Sequence, residues 1–322
     1  MALVVFPFDT DPATHSDHLH AWIPARIERR DANGRVTGIE WQAEDEEHGP
    51  APDGTKNGSL PELDFTREGW TRAVESALEH IRSGSLRKVV LARSRRVHGT
   101  APFDADRILD ALRDAYPACY RFRFEPGDGS IFLGASPERL VALRGDAIEA
   151  DAVAGTAAGE GRALLDDRKE RLEHDIVVEE VVGALRLVAE EVEAEDVPSV
   201  HRLRNVTHLR TRVRASARPG THVLDLAARI HPNPAVAGAP REAALDLIRS
   251  LEPRPRGWYA GPIGWASAAG EGELTLGLRA ALLRGSEALL HAGAGIVLGS
   301  DPDREWDECE SKMRAMEEAL RG

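Results

Sequence analysis

The sequence predicts a mixed fold of helices and antiparallel strands, of the α/β or α+β class, in one large domain. Residues 66–85 repeat apolar side chains at helical spacing, and residues 163–194 continue as a long, charged helical pattern. Between residues 257 and 299, by contrast, strand-like stretches follow one another without a helix between them. No fixed-period repeat and no linker sequence divides the chain.

The first sixty residues predict only short strands, followed by an exposed loop in the polar stretch 44–62. The helix at 66–85 ends at Gly84, and its apolar face consists of Trp70, Val74, Ala77 and Ile81. A β-branched strand follows at 87–97, and a further helix with strands covers 103–143.

The later elements are predicted in the same way. Residues 163–194 predict one long helix with a charged solvent face. The strands at 257–266, 272–283 and 287–299 predict a single meander, and a terminal helix follows at about 303–320.

Composition limits the possible partners and the compartment. Lys and Arg total 41 and Asp and Glu 54, so the net charge of −13 repels nucleic-acid phosphate and anionic membranes, and no basic patch offsets it. Cys119 and Cys309 are far apart and form no C-x-x-C pair, which argues against a disulfide framework or a cysteine zinc site. With neither a signal peptide nor an apolar stretch of membrane-spanning length, the sequence predicts a cytoplasmic protein.

Several motif-like stretches do not support the functions that they superficially suggest. The glycines of "GAGIVLG" lack G-x-G-x-x-G spacing and do not open a helix directly. In "DPDREWDECESK", Trp306 replaces the turn glycine of an EF-hand and Lys312 its closing glutamate. Zinc-protease H-E-x-x-H and serine-hydrolase G-x-S-x-G motifs are absent from the sequence.

The terminal helix raises a sharper question. Its segment "DREWDECESK" places Glu305, Glu308 and Lys312 on one helical face. Taken alone, this face predicts a solvated surface with an i,i+4 pair between Glu308 and Lys312.

Nine ordered blocks change that interpretation. They are "RKVVLARS", "FLGASPERLV", "AVAGT", "KERLEHDIV", "HPNPAVAGAPR", "YAGPIGW", "LGLRAALL", "HAGAGIV" and "EWDECESKM". Together they resemble the chorismate-utilising enzymes, isochorismate synthases in particular, over residues 65–322. The resemblance implies one catalytic domain over 1–322 with stacked antiparallel β-sheets flanked by helices, and a variable part at 1–60.

The resemblance also implies a Mg²⁺ cofactor. Glu173 and Glu308 match the family's metal-binding glutamates, and Glu305 could ligate directly or through water. Lys312 matches a residue that contacts a substrate carboxylate. The implied substrate, chorismate, is a dicarboxylate entering an acidic protein, and a hard cation with oxygen ligands would receive it.

The implied reaction adds water at ring carbon C2 while the C4 hydroxyl leaves, which requires a base and an acid. Lys88 matches the family's base and needs a lowered pKa, whereas Glu138 matches its acid and needs a raised one. His208 matches a family histidine near the ring, and a packed, hydrogen-bonded histidine is the alternative. Substituting Lys88 or Glu138 is expected to lower turnover and largely preserve folding.

Other matches hold the substrate. Glycine lets backbone N–H groups approach carboxylate oxygens, and an arginine on an apolar strand suits a bidentate grip on the pyruvyl carboxylate. The implied substrate-binding residues are Gly155, Thr156, Ala235, Tyr259, Arg279, Gly293, Gly295 and Lys312.

Three positions favour water as the nucleophile and isochorismate as the product. Ala154 stands where aminodeoxychorismate synthases commonly carry a lysine nucleophile, and Lys88 stands where anthranilate synthases usually have glutamine. Ala235 replaces the threonine typical of pyruvate-eliminating relatives. Asn233 departs from the threonine common in isochorismate synthases, which leaves the substrate packing there open.

The resemblance implies a monomer without an obligatory glutaminase subunit, supplying isochorismate for menaquinone, siderophore or salicylate biosynthesis. Two alternatives stay open. One is a salicylate synthase or an amino-transferring, anthranilate-synthase-like enzyme. The other is an inactive, acidic metal-binding protein.

Overall fold

The computed structural model describes residues 2–8, 20–22, 26–30, 36–40, 60, 64–157 and 162–321. Within these residues the helices are α1 (Arg67–Arg82), α2 (Ala105–Ala115), α3 (Arg168–Arg186), α4 (Val223–Ile230), α5 (Arg241–Leu251) and α6 (Pro302–Arg321), with a 3₁₀ turn at Arg162–Leu165. The first nine strands are β1 (Ala2–Val5), β2 (His20–Trp22), β3 (Arg26–Arg30), β4 (Val36–Glu40), β5 (Lys88–His98), β6 (Tyr120–Phe124), β7 (Ile131–Ser136), β8 (Arg139–Arg144) and β9 (Ala147–Ala157). The remaining strands are β10 (Ala189–Ala194), β11 (Ser199–Arg202), β12 (Thr207–Ala217), β13 (Gly238–Ala239), β14 (Pro262–Ala266), β15 (Gly272–Leu276), β16 (Ala280–Arg284) and β17 (Glu287–Ile296).

The amino-terminal region contains the short strands β1 to β4, as predicted. The predicted exposed loop at 44–62 lies outside the described residues, except for Leu60, which is buried. No helix in the described part of the chain has both the length and the apolar character needed to span a membrane.

Helix α1 forms where the apolar stripe predicts it. The Thr66 hydroxyl caps its first turn by accepting from the Gly69 amide at 3.0 Å. The buried Trp70 then packs edge-on against Trp306 of α6 and donates from its indole nitrogen to Pro302 O at 2.9 Å. These contacts join the predicted first and last helices, and both predictions are confirmed.

The predicted long helix at 163–194 is wrong at both ends. A 3₁₀ turn precedes α3, which begins after Asp167, whose carboxylate accepts from the Lys169 and Glu170 amides. After Leu187 the chain continues as β10, which pairs with β12. The alanines and glutamates of β10 favour a helix, and pairing with a long neighbouring strand overrides that local preference.

Two large antiparallel sheets form the body of the fold. The first has the order β10-β12-β9-β8-β15-β14-β1-β2 with β11 added beside β12, and the second has the order β13-β5-β17-β16-β7-β6. One hydrophobic cluster contains residues of both sheets and of the helices, including Leu91, Leu133, Leu274 and Met313. The predicted class, stacked antiparallel sheets flanked by helices, is confirmed.

The predicted single meander over 257–299 is wrong, because its strands divide between the sheets. β14 pairs with β15 in the first sheet, and β16 pairs with β17 in the second. The chain crosses between the two sheets from β7 to β8, and again from β15 to β16. The two crossings run side by side, with the Ala135 amide donating to Arg279 O and the Leu276 amide donating to Glu138 O. Glu138 and Arg279 both lie on these crossings.

Candidate active site

A cavity lies beside the two crossings and gathers most of the predicted site residues. Its walls include ten of them: Glu138, Thr156, Glu173, His208, Ala235, Tyr259, Arg279, Gly293, Gly295 and Lys312. A second cavity of about 470 Å³ shares Thr156 and adds Glu305 and Glu308. Of the other two, Lys88 lies behind the wall formed by Gly295, and Gly155 contacts His208 through its carbonyl.

Lys88 opens β5 and is completely buried. Its Nζ lies 3.0 Å from Glu173 Oε1, but it has no hydrogen-bond partner among the described residues. The sequence places Lys88 against apolar strand residues, whereas the structure adds a carboxylate from α3. A buried ammonium with unused hydrogen-bonding capacity is costly, so this group is suited to interact with a ligand or water.

Close packing against Gly295 holds this ion pair in place, and we expect Gly295→Ala to disrupt it. A Cβ at position 295 would lie 2.0 Å from Glu173 Oε1 and 3.0 Å from Lys88 Cε. Turnover should therefore fall at least about tenfold through displacement of both groups. At Gly183, on helix α3, an added Cβ would meet no neighbouring atom within 4 Å. Gly183→Ala is the matched control in steady-state assays, and equal effects would contradict the assignment.

Glu138 lies on the crossing between β7 and β8, only 4% exposed. Its backbone carbonyl accepts from the Thr275 hydroxyl at 2.5 Å, which fixes the crossing to β15. Burial, and secondarily the charge of Asp151, raises the pKa of Glu138 to about 8. Oε1 has no hydrogen-bond partner among the described residues. The carboxyl group therefore holds a proton near neutral pH and faces the cavity.

A surface ion pair of Glu138 with Arg139 does not form. Arg139 instead binds Glu149 at 2.6 Å and lies within 3.6 Å of Asp151. Glu138 ends the crossing and Arg139 begins β8, and the two adjacent side chains contact different surroundings.

His208 is hydrogen-bonded through both ring nitrogens. Nδ1 lies 3.1 Å from Thr156 Oγ1 and 3.3 Å from Gly155 O, and an Arg279 guanidinium nitrogen donates to Nε2 at 3.0 Å. Because Nε2 accepts, the ring proton is assigned to Nδ1. Burial, then the charges of Arg279 and Lys312, lower the pKa of His208 well below its usual value. His208 is thus neutral and orients Arg279.

Arg279 lies on the crossing before β16, not on the apolar strand where the sequence predicts it. Its backbone is left-handed, with φ of 48°, which turns the side chain out of the strand direction at a cost in strain. In the part of the chain that the structure describes, no carboxylate lies within ion-pair distance of this guanidinium, and burial lowers its pKa. A partly buried cation that lines a cavity with no acidic partner among the described residues is suited to an anionic ligand.

Tyr259 forms another wall of the cavity and is held by stacking. Its ring lies parallel to His291, with centroids 5.0 Å apart and planes 14° apart. Burial raises the pKa of the Tyr259 hydroxyl to about 12, so it remains a neutral donor. Ala235 is fixed nearby by its amide, which donates to Asn233 Oδ1 at 3.0 Å.

The predicted metal ligands converge from α3 and α6. Glu305 is buried, and desolvation followed by the charge of Glu308 raises its pKa to about 7. Glu173 Oε2 has no hydrogen-bond partner among the described residues. Glu308 pairs with Lys312, which also donates to Gly293 O at 2.8 Å. These crowded carboxylates supply hard oxygen donors, and burial together with the charge of Glu308 leaves Glu305 partly protonated near neutral pH.

The first turns of α3 contribute two residues absent from the predicted site. Lys169 Nζ lies 3.1 Å from Glu170 Oε1 and 3.0 Å from Glu305 Oε1. Glu170 Oε2 accepts from the Thr156 amide at 2.7 Å. Their signal was the i, i+4 spacing of Lys169 and Glu173, which places both on one helix face. With Lys169 among the acids, no group of three or more His, Cys, Asp or Glu in the described ranges already has metal-site spacing.

The chain matches the family model described as chorismate binding enzyme over residues 21–321. It is 38% identical, over 81% of its length, to the isochorismate synthase MenF of Bacillus subtilis, and 40% identical, over 79%, to the salicylate biosynthesis isochorismate synthase of Pseudomonas aeruginosa. It covers 57% and 55% of these two proteins, little more than half of each. In structure it is similar to MenF, the menaquinone-specific isochorismate synthase of Escherichia coli, with a TM-score of 0.73 at 34% identity, covering 82% of this chain and 65% of that one.

Proposed function

Because this chain belongs to the family of chorismate-binding enzymes, we propose that it converts chorismate to isochorismate. The observation that carries the proposal is the presence of two buried groups, Lys88 Nζ and Glu138 Oε1. Each lacks a hydrogen-bond partner among the described residues. Glu138 lines the cavity and Lys88 lies behind its wall at Gly295, and a base and a protonated acid are the two groups that the hydroxyl exchange requires.

The reaction balances with these two groups. Lys88 accepts a proton from water as the water oxygen bonds to ring carbon C2. Both ring double bonds then shift, from C1=C2 to C1=C6 and from C5=C6 to C4=C5. The C4–O bond breaks, and Glu138 donates its proton so that the hydroxyl leaves as water. Lys88 can accept a proton only as an uncharged amine, so its own proton must leave before the water attacks.

The remaining wall residues position the dianionic substrate. Arg279, oriented by neutral His208, binds one carboxylate, and Lys312 approaches the other. The Tyr259 hydroxyl donates a hydrogen bond, since it stays protonated. Gly293 and Gly295 carry no side chain in the cavity wall, which leaves room there for the substrate ring.

The carboxylates of Glu173, Glu305 and Glu308 fit a Mg²⁺ site by chemistry, because they are oxygen donors that converge where burial and the charge of Glu308 raise the pKa of Glu305. When bound, Mg²⁺ would neutralise these acids and hold a substrate carboxylate. We include this cofactor in the proposal.

Water is the nucleophile in the proposal for two reasons. Ala154, which lines the cavity, cannot form a covalent adduct, and Lys88 stands where anthranilate synthases, which use ammonia, usually have glutamine. An ammonia-supplying glutaminase subunit is then not required. Ala235, also in the wall, offers no hydroxyl for pyruvate elimination.

The test is to incubate the purified chain with chorismate and Mg²⁺ and identify products by NMR. Isochorismate without pyruvate is the expected result. Pyruvate with salicylate would assign the elimination reaction instead, and a product formed only with ammonia would assign an amino-transferring enzyme. Bound but unchanged chorismate would contradict catalysis altogether.

A further inference from the structure

The ammonium of Lys169 lies among the carboxylates that the proposed function assigns to the metal. Nζ is 3.0 Å from Glu305 Oε1, 3.1 Å from Glu170 Oε1 and 3.8 Å from Glu173 Oε2. It bridges α3 to α6, so it neutralises acids on both helices that would otherwise repel each other.

Each acid of this group has a lysine neighbour. Glu173 lies against Lys88 and Glu308 against Lys312, so among the described residues Lys169 is the cation that pairs with Glu305. The two other lysines face the substrate cavity or its wall. Lys169 instead borders the second cavity, beside Glu305 and Glu308.

A divalent cation and this ammonium compete for the same oxygens. A cation bound to Glu305 Oε1 would lie next to a like charge now 3.0 Å from that oxygen. We propose that Lys169 is a built-in counter-ion that a divalent cation must displace, and that it thereby sets the metal affinity of the site. This inference rests on the metal site of the proposed function.

The structure provides a place for the displaced side chain. Lys169 is one-fifth exposed, and the 470 Å³ cavity beside it is also lined by Asp167, Asp301 and Asp307. Because a lysine side chain is flexible and Lys169 borders this cavity, we expect the ammonium to move toward the cavity when a cation takes its place. In the metal-free protein Lys169 therefore offsets part of the acidic charge, and in the loaded protein we expect it to lie in the second cavity.

The experiment is calorimetric titration of the full chain with Mg²⁺ at pH 8, without chorismate. Lys169→Met and Lys169→Gln should bind Mg²⁺ about tenfold more tightly than the unmodified protein, since the competing charge is gone. Lys169→Arg keeps the charge and should bind no more tightly than the unmodified protein. Arg168→Met is the matched control, because it removes an exposed cation from the same turn, and its affinity should be unchanged.

Melting temperature supplies a second readout. Without metal, Lys169→Met should have a lower melting temperature than the unmodified protein. Saturating Mg²⁺ should raise the melting temperature of Lys169→Met by more than it raises that of the unmodified protein. If the unmodified protein binds Mg²⁺ clearly and both neutral variants bind it equally well or more weakly, the inference about Lys169 is wrong. The proposed metal site would still stand. If neither the unmodified protein nor any variant binds Mg²⁺, both the proposed metal site and this inference are wrong. The roles of Lys88 and Glu138 are tested separately, by the NMR analysis of products.

Discussion

Glu138→Gln is expected to lower kcat for isochorismate formation by about a hundredfold to ten-thousandfold, with the fold intact. The amide has the size of the carboxyl group but cannot release a proton to the leaving hydroxyl. Because the raised pKa of Glu138, about 8, keeps the native side chain neutral below that pH, the substitution exchanges one uncharged buried group for another. Stopped assays with chorismate, together with thermal melting of both proteins, measure the two effects.

The pH dependence of the unmodified protein provides the control. A general acid works only while protonated, so kcat/KM should fall as pH rises through about 8 and Glu138 ionises. Since the charge of Asp151 contributes to that raised pKa, Asp151→Asn should move this decline to lower pH. Residual activity of Glu138→Gln should lack the decline altogether. Full turnover in Glu138→Gln would refute the assignment.

Lys88→Met is expected to reduce turnover by a similar factor, about a hundredfold or more, because the proton acceptor is lost. Unlike the expectation from sequence, it should also destabilise the protein, since Glu173 would keep a buried charge without Lys88. Removing one partner of a buried pair typically costs about 3–5 kcal/mol. Chemical denaturation and steady-state kinetics separate the two losses.

The double variant Lys88→Met/Glu173→Gln distinguishes stability from chemistry. Neutralising Glu173 removes the unpaired charge, so much of the lost stability should return while turnover stays low. A single Lys88→Met variant as stable as the unmodified protein would contradict the ion pair. One with normal turnover would exclude Lys88 as the base.

Sequence patterns succeeded where structure depends on neighbours along the chain. The stripe through Trp70 forms α1, and the acidic segment carrying Glu305 and Glu308 forms α6. They failed where a distant strand decided the outcome, as in β10, whose helix-favouring residues pair with β12. The same limit explains why Lys169 was overlooked, since its importance arises from Glu305, 136 positions away (305 − 169).

The sequence by itself determined the residue types of the site, the local helices and strands and, through its ordered blocks, the family. Tertiary structure alone decided that Glu138 and Arg279 occupy adjacent crossings between two sheets, and that Lys88 and Lys169 lie against carboxylates. The physical reason is the distance along the chain over which each interaction acts. Periodicity and capping act within a few residues, whereas sheet membership and burial, which shift the pKa of Glu138, depend on pairing between distant segments.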